Sequence, residues 1–206
     1  MSFLPALLYD RIVSSVETGC LREWRSALVG QVGGRVLEIG AGTGANLAFY
    51  PETVETLLMV EPDPAMRKQL QKVCQPGRLK NIEIAAGTAE NLPAADASFD
   101  FVVTSLVCCS FRHLEAGLLE IYRVLKPGGK LVFLEHVAAD EGCRKRAWQE
   151  FFNPLWRRVM GNCHLNRDIE AAIISSGFRM VQITREPMCT SVSIVQPTIR
   201  GIAEKR

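Results

Sequence analysis

The sequence predicts a doubly wound α/β fold with a seven-stranded, mostly parallel sheet and helices on both faces. Short apolar segments typical of buried strands alternate along the chain with segments whose apolar residues recur at helical spacing. The first such strand contains Val36, Leu37 and Ile39, and glycines follow it at every second position from Gly40 to Gly44. Glycines there let the backbone turn tightly out of the strand and let a ligand lie against the main chain.

The second predicted strand ends on an acidic residue, Glu61. In dinucleotide-binding folds a carboxylate at this position accepts hydrogen bonds from ribose hydroxyls. Ligands of doubly wound sheets bind at the carboxyl ends of the strands. The glycine-rich turn and Glu61 together therefore predict a nucleoside ligand at that edge.

The composition predicts one globular domain of 206 residues, of which 48% are hydrophobic and 22% charged. A net charge of +2 does not indicate a nucleic-acid partner. No apolar run approaches the ~18 residues that span a bilayer, and the start MSFLPALLYD lacks the basic region of a signal peptide. Seven irregularly spaced cysteines fit free thiols better than a disulfide framework. We therefore expect a cytoplasmic protein with reduced cysteines, as a monomer or homodimer.

The first 30 residues predict one or two helices, because apolar residues recur there at helical spacing. We expect residues 1–30 to form a helical cap on a core of residues 31–206. The apolar face fits packing on the core, a lid over the ligand, or peripheral membrane contact. The pattern alone does not separate these three roles.

The following elements are predicted from breaks and caps. Asn46 to Tyr50 predicts a short helix after the glycine-rich turn. Asp63, with Pro64 in the first turn, begins a helix that runs to about Cys74. Residues 81–86 and 98–104 alternate as the third and fourth strands, with a loop over residues 87–93.

The second half of the chain continues the alternation. A helix is predicted over residues 114–125, and the segment Lys126–Gly129 is expected to end it before a strand over residues 130–135. Asn166 is a plausible N-cap of a helix that Gly177 ends. Two last strands are predicted over residues 178–184 and 191–195.

Two other nucleotide sites can be compared with the glycine-rich turn. The phosphate-binding pattern G-x-x-x-x-G-K-[ST] does not occur in the sequence. A dinucleotide site has G-x-G-x-x-G, and Ala45 stands where its third glycine would be. Alanine is tolerated at that position, so the turn alone discriminates weakly against a dinucleotide.

Five segments, taken together, resemble the successive motifs of class I S-adenosylmethionine-dependent methyltransferases over roughly residues 34–136. These segments are Glu38–Gly44, Glu61, Gly87–Pro93, Ser98–Asp100 and Arg123–Gly129. The resemblance implies a Rossmann-like fold and S-adenosylmethionine as methyl donor, with S-adenosylhomocysteine as product. It places the methionine part at the glycine-rich turn, the ribose at Glu61 and the adenine at residues 88–90. Many family members carry Asp where Thr88 stands here, so the adenine contact is expected to use Thr88, the Ala89 backbone or Glu90.

The resemblance implies a defined set of cofactor-binding residues. They are Glu38, Gly40, Ala41, Gly42, Thr43, Gly44, Asn46, Glu61, Pro62, Thr88, Ala89, Glu90, Ser105 and Leu106.

Segments outside these motifs resemble the thiol S-methyltransferases of animal membranes and their microbial relatives. They are residues 9–25, 46–51, 106–110, 135–139, 148–149, 154–156 and 161–167. This resemblance implies methyl transfer to a small lipophilic thiol. The alternatives are C- or N-methylation of a quinone precursor or phospholipid head group, and an S-adenosylmethionine-binding module without turnover.

A thiol acceptor reacts as its thiolate, and a free thiol of pKa about 8.5 is only a few per cent ionised at neutral pH. His136, just past the fifth strand, is the first candidate for a general base or thiol orienter, and His164 is the second. The alternative for His136 is a structural hydrogen bond. Tyr9 and Asp10 are weaker candidates that could approach the sulfonium from an N-terminal lid.

The cysteines do not predict a metal site. Cys108 and Cys109 are adjacent, without the spacing of a zinc knuckle, and Cys163 beside His164 supplies no second pair. We expect them to be small buried residues. The aromatic residues between Trp148 and Trp156 fall at helical spacing, which fits either core packing or an apolar acceptor pocket.

Overall fold

A computed structural model describes residues 17–74, 79 and 81–206. The predictions for Tyr9, Asp10 and the helix before residue 17 lie outside these residues. The described chain begins with a π-helical turn, Glu17–Leu21, and helix α1 (Arg22–Val29). Trp24, Leu28 and Val29 are buried against the sheet, so this part of the predicted cap packs on the core. The division into cap and core stays a prediction.

The sheet has seven strands, which confirms the predicted fold class. The strands are β1 (Gly34–Ile39), β2 (Val54–Val60), β3 (Ile82–Ala85), β4 (Phe99–Ser105), β5 (Leu125–His136), β6 (Phe178–Pro187) and β7 (Pro197–Lys205). Their order is β3-β2-β1-β4-β5-β7-β6. Strands β1 to β5 are parallel, and β7 runs antiparallel to both of its neighbours. The order reverses between β1 and β4, which is where ligands bind doubly wound sheets.

Helices cover both faces of the sheet. Neighbouring residues of a strand point to opposite sides, so each face packs on its own set of helices. The helices after α1 are α2 (Pro64–Val73), α3 (Leu114–Val124), α4 (Arg144–Val159) and α5 (Ile169–Ser175). Leu37 packs in the core cluster that includes α3 and α5, and Val36 packs in the cluster with α1 and α2.

Two helix predictions need correction. Residues 46–50 form only a 3-10 turn over Leu47–Phe49, because the Asn46 side chain is bonded to β1 and Tyr50 is extended. Helix α5 begins at Ile169, and its N-cap is Asp168 rather than Asn166, since the Asp168 carboxylate accepts from the Ala171 N–H. Gly177 follows the helix with φ +94°, as predicted for a C-terminal glycine.

Two strand predictions also need correction. Strand β5 begins at Leu125, because Leu125 pairs with Phe99 and the segment predicted as a break bulges within the strand, with Gly128 at φ +74°. Residues 191–195 do not form the last strand; they contain the 3-10 turn Ser193–Val195, and β7 follows it.

The expectation that all cysteines are free is wrong for two of them. Cys20 and Cys189 form a disulfide that joins the start of the described chain to the segment between β6 and β7. The two residues are 169 positions apart, so no local spacing could indicate the pair. Cys74, Cys108, Cys109, Cys143 and Cys163 are free thiols. In the described part of the chain no helix has the length and apolar character needed to cross a bilayer.

Candidate active site

The glycine-rich turn lies at the carboxyl end of β1, and its first two glycines serve different purposes. Gly40 and Gly42 have φ of +66° and +56°, a region that side chains rarely adopt. A Cβ on Gly40 would lie 2.2 Å from the Val107 side chain, so this glycine permits close packing with the segment after β4. A Cβ on Gly42 would meet only the Gly40 carbonyl oxygen, at 4.0 Å. The turn therefore leaves open space beside Gly42, which fits a ligand lying on the backbone.

The predicted cofactor residue Glu38 lies beneath this turn. It is 2% exposed, and its carboxylate accepts from Asn46 Nδ2 at 2.8 Å and from the Tyr50 hydroxyl at 2.9 Å. Burial raises the pKa of Glu38 to about 7. Glu38 and Asn46 thus hold the shape of the turn from below.

Arg25, in α1, is a functional candidate that sequence reasoning missed. Its Nη1 donates to Asn46 Oδ1 at 2.7 Å and to Ser105 Oγ at 2.8 Å, so it links the glycine-rich turn to the end of β4. The signal was present, because Arg25 sits four residues after Leu21 and three before Leu28 on the apolar face of the helix. A buried arginine on such a face needs partners.

Glu61, at the end of β2, has the position predicted for the ribose carboxylate. Its Oε2 accepts from the Gly42 N–H and its Oε1 from the Asp63 N–H, both at 2.9 Å. Burial raises the pKa of Glu61, and the two N–H bonds oppose that shift. A carboxylate has about four acceptor positions, so both oxygens can still accept from two ribose hydroxyls. Pro62 follows directly in the chain.

The predicted adenine loop divides between two roles. Glu90 Oε1 accepts from the Arg112 and His113 N–H groups, at 2.7 and 3.2 Å. Burial would raise the pKa of Glu90, but these amide bonds lower it below its ordinary value. Glu90 therefore anchors the start of α3, whereas Thr88 is exposed and Ala89 is buried. Thr88 and the Ala89 backbone therefore stay the predicted adenine contacts.

The remaining predicted cofactor residues lie at the ends of β1 and β4. Ala41 is buried, with its N–H bonded to the Val60 carbonyl, and Thr43 is half-buried in the turn. Leu106 follows β4 with φ +55°, and its N–H is bonded to the Leu134 carbonyl. A leucine in this region is strained, and such strain persists where the surrounding structure enforces it.

Beyond β4 and β5 the fold brings together three residues that sequence reasoning did not connect. Ligand atoms of Cys109, His136 and Cys163 all lie within 4.8 Å of one another. His136 Nε2 lies 3.0 Å from Cys163 Sγ, and Trp156 Nε1 donates to the same sulfur at 3.3 Å. We call Cys109, His136 and Cys163 the thiol–imidazole cluster. His136 lies at the end of β5 as predicted, but its Nε2 faces a cysteine of the chain itself.

The two thiols of the thiol–imidazole cluster differ in acidity. The hydrogen bond between the two thiols lowers the pKa of Cys163, and the same bond, with burial, raises the pKa of Cys109 well above its usual value. Cys163 is therefore the more acidic of the two thiols. It is also half-buried, whereas Cys109 is fully buried.

The second catalytic candidate, His164, reaches the cluster only through its backbone, whose N–H donates to the Cys109 carbonyl at 2.9 Å. Burial, with the nearby positive charges of Arg167 and Arg157, lowers the pKa of His164 to about 4. The imidazole is therefore neutral at pH 7 and a weak base. This geometry favours a structural position for His164.

Glu135 and Arg167 position the segment that carries Cys109. Glu135 Oε2 accepts from the Val107 and Cys108 N–H groups, and burial raises the pKa of Glu135 to about 7. Arg167 Nη1 donates to the Cys108 and Cys109 carbonyls at 2.7 and 2.9 Å. Neither residue was recognised from the sequence, because their partners are backbone atoms distant along the chain.

The aromatic residues of α4 do not pack in the core, contrary to one of the two expectations. Trp148 is 48% and Phe151 72% exposed, and their rings contact each other and Phe152 on the outside of the helix. Only Trp156 reaches inward, to Cys163.

Comparison with known proteins identifies the fold and the donor. A family described as "Methyltransferase domain" matches residues 37–133. Thiol S-methyltransferase TMT1B of Rattus norvegicus is 38% identical over 172 residues, which is 82% of this chain and 70% of that protein. The chain belongs to the class I S-adenosylmethionine-dependent methyltransferases. The predicted family, fold and methyl donor are confirmed.

Two further comparisons place this methyltransferase among its relatives. Demethylmenaquinone methyltransferase of Lactiplantibacillus plantarum is 31% identical over 165 residues, 75% of this chain and 70% of that protein. The structure of geranyl diphosphate methyltransferase in complex with S-adenosylmethionine superposes with a TM-score of 0.72 at 11% identity, over 91% of this chain and 85% of that one. The open space beside Gly42 and the acceptor capacity of Glu61 fit this ligand, which carries no phosphate.

Proposed function

We propose that this methyltransferase methylates the sulfur of a small lipophilic thiol. The observation that carries the proposal is the 38% identity to a thiol S-methyltransferase over 82% of the chain. That span is wider than the general methyltransferase match at residues 37–133. It therefore extends beyond the residues of the general methyltransferase match.

The donor site of the proposal uses the carboxyl edge of β1, β2 and β4. The glycine-rich turn takes the methionine part beside Gly42, Glu61 accepts from the ribose hydroxyls, and Thr88 with the Ala89 backbone meets the adenine. Support comes from the open space at Gly42 and from Glu61, whose carboxylate is fixed by two N–H bonds. The bound donor supplies an electrophilic methyl group on a sulfonium, so in-line placement of the acceptor supplies much of the catalysis.

The acceptor side lies after β4 and β5. Cys109 Sγ is 3.7 Å from the carbonyl oxygen of Leu106, a proposed donor-site residue, so the thiol–imidazole cluster adjoins the donor site. We assign acceptor activation to this cluster rather than to His136 alone. In the reaction the thiol proton passes to solvent, the acceptor sulfur forms a bond to the methyl carbon, and the bond between the methyl carbon and the sulfonium sulfur breaks, which leaves S-adenosylhomocysteine.

A quinone precursor is the second candidate acceptor, and the 31% identity to a demethylmenaquinone methyltransferase favours it. Methylation of such a ring removes a proton from carbon, so it needs a base at the acceptor and no means of binding sulfur. The donor site would be the same, so the two candidates are distinguished on the acceptor side.

The experiment incubates the purified protein with methyl-labelled S-adenosylmethionine and separate sets of alkyl thiols, quinols, amines and phospholipids. Labelled thioether from the thiols is the expected product. Product from a quinol or an amine without thioether would refute the proposal. Donor binding without turnover on any acceptor would favour a binding module. A small-molecule acceptor in the cytoplasm, and peripheral membrane contact through the N-terminal residues, stay predictions.

A further inference from the structure

The thiol–imidazole cluster is assembled from three distant segments of the chain. Cys109 follows β4, His136 ends β5, and Cys163 lies between α4 and α5. Two thiols and an imidazole nitrogen converge there within 4.8 Å. Sulfur and imidazole donors in this number are the ligand set of catalytic zinc sites that keep one open position.

The spacing of the donor atoms suits a tetrahedral ion. Zinc binds sulfur at about 2.3 Å and imidazole nitrogen at about 2.0–2.1 Å, so neighbouring donors around it lie about 3.5–3.8 Å apart. His136 Nε2 and Cys163 Sγ are now 3.0 Å apart, and no pair of donor atoms exceeds 4.8 Å. Shifts of a few tenths of an ångström to about one ångström would seat the ion without moving a strand.

The backbone that carries the ligands is held in place from outside. Asn162 Nδ2 donates to the Ser110 and Phe111 carbonyls, at 3.1 and 3.2 Å. Arg167 Nη2 donates to the Phe111 carbonyl at 2.6 Å. The two loops that supply Cys109 and Cys163 are therefore joined by side-chain bonds that do not use the thiols. Such an arrangement keeps metal ligands together before the metal arrives.

We propose that Cys109, His136 and Cys163 bind a zinc ion whose fourth coordination position takes the thiol acceptor as its thiolate. Cys163 is partly exposed, whereas Cys109 and His136 are buried, so we expect the acceptor to enter on the side of Cys163. The acceptor role rests on the proposed thiol methyltransferase function; the metal site itself does not.

Zinc would raise the ionised fraction of a thiol acceptor at neutral pH. A coordinating thiol gives up its proton, which leaves to solvent, and its sulfur keeps a lone pair for the methyl carbon. Bond formation at that sulfur breaks the methyl–sulfonium bond and leaves S-adenosylhomocysteine. The product thioether carries no negative charge, so it is a weaker zinc ligand and is released.

The metal is measured directly on the full chain, purified without chelators. Elemental analysis should find about one zinc per chain, and replacement by Co²⁺ should give sulfur-to-cobalt charge-transfer absorption. The variants Cys109→Ser and Cys163→Ser should each lower zinc affinity by about tenfold or more. Cys143→Ser is the matched control, because Cys143 is a free thiol outside the cluster, and it should retain the metal.

The wild-type cobalt spectrum keeps the test valid even where a cysteine variant fails to fold. Adding an alkyl thiol to the cobalt protein should shift its visible bands as the fourth ligand changes. Folded wild-type protein that takes up neither zinc nor cobalt would overturn the site, as would a Cys109–Cys163 disulfide that persists in reductant. Bound metal with no response to thiols would overturn the acceptor position.

Measurements of methylation with and without zinc distinguish the metal site from the proposed function. Thiol methylation that is unchanged after zinc removal would refute the metal's role and leave the proposed function standing. A zinc-loaded protein that methylates quinols and not thiols would refute the proposed function and leave the metal site standing.

Discussion

Glu38 is a carboxyl group enclosed by the protein, with hydrogen-bond donors on both oxygens. Its pKa rises from 4.5 to about 7 because burial penalises the charged form. The folded protein therefore holds this proton more tightly than the unfolded chain does. Glu38 stabilises the fold below about pH 4.5, and this contribution is lost as pH rises through about 7.

We predict that Glu38→Gln makes the free energy of unfolding depend less on pH between 5 and 8. The neutral amide does not titrate, so the share of Glu38, at most about 3 kcal/mol for such a shift, disappears from the slope. Glu135, also with a pKa of about 7, retains its own share in both proteins. Urea unfolding at several pH values measures this. Equal slopes for variant and wild type would contradict the burial argument.

We predict that Glu61→Ala weakens binding of the methyl donor. Replacing Glu61 by alanine removes the ribose acceptor and the bond that holds the Gly42 N–H. Affinity for S-adenosylmethionine should fall by about 1–3 kcal/mol, measured by titration calorimetry. Glu55→Ala, on the exposed face of the same strand, is the matched control and should bind as the wild type does. Unchanged affinity of the Glu61 variant would remove this residue from the donor site.

At the scale of single residues, some of the residues at the candidate site could be predicted from the sequence and others could not. The positions of Gly40, Gly42 and Glu61 were predictable, because a backbone turn and a strand end fix where they lie. Arg25 and the thiol–imidazole cluster were not, because their partners are brought together only by the strand order. Asp168 displaced Asn166 as the N-cap for a local reason, since both residue types cap helices well and only the geometry decides between them.

At the scale of the elements, the two glycines of the glycine-rich turn are predicted to respond differently to replacement by alanine. Gly40→Ala should lower the free energy of unfolding by about 2 kcal/mol or more, from a positive φ plus a clash with Val107. Gly42→Ala should cost only the conformational part, about 1–2 kcal/mol, yet weaken donor binding more, since its methyl enters the ligand space. Unfolding and calorimetry on both variants measure the two effects. Equal losses of stability would show that the two glycines are not distinct.

The disulfide ties the element before α1 to the segment between β6 and β7. Removing it through Cys189→Ser should lower the free energy of unfolding by about 2–5 kcal/mol, because the closed loop is long. Cys74→Ser, which removes a free thiol at the end of α2, should change stability little. Denaturant unfolding of both variants measures this. A stable Cys189→Ser protein would show that packing of α1 alone holds the N-terminal segment.

Strands were predicted better than their boundaries. Strands β1, β2 and β5 were predicted from apolar runs, as expected of parallel strands buried on both faces, whereas β3 and β4 were predicted from alternation. Strand β7 was misplaced, since its charged residues mask a strand that pairs on both edges. Its Gly201 permits the close approach of β6, because a Cβ there would lie 2.0 Å from the Gln182 carbonyl oxygen. Glycine is required at this position because of the neighbouring strand, and the sequence alone does not show which strands are neighbours.

At the scale of the whole molecule, the strand order determines which segments lie beside the proposed donor site. Reversal of the order between β1 and β4 opens the crevice at the donor turn, and β5 beside β4 brings His136 next to the segment of Cys109. The proposed donor half of the site was inferred from motifs along the chain. The proposed acceptor half depends on contacts between β4, β5 and the loop before α5, which the sequence does not show.

The most direct test of sulfur as the acceptor uses one molecule that offers both chemistries, a benzene ring carrying one thiol and one hydroxyl group. The enzyme is supplied with ¹³C-methyl S-adenosylmethionine, and the product is identified by NMR and mass spectrometry. We expect the label on sulfur alone, as the aryl methyl thioether. Label on oxygen or on a ring carbon, with the thiol left free, would contradict the account.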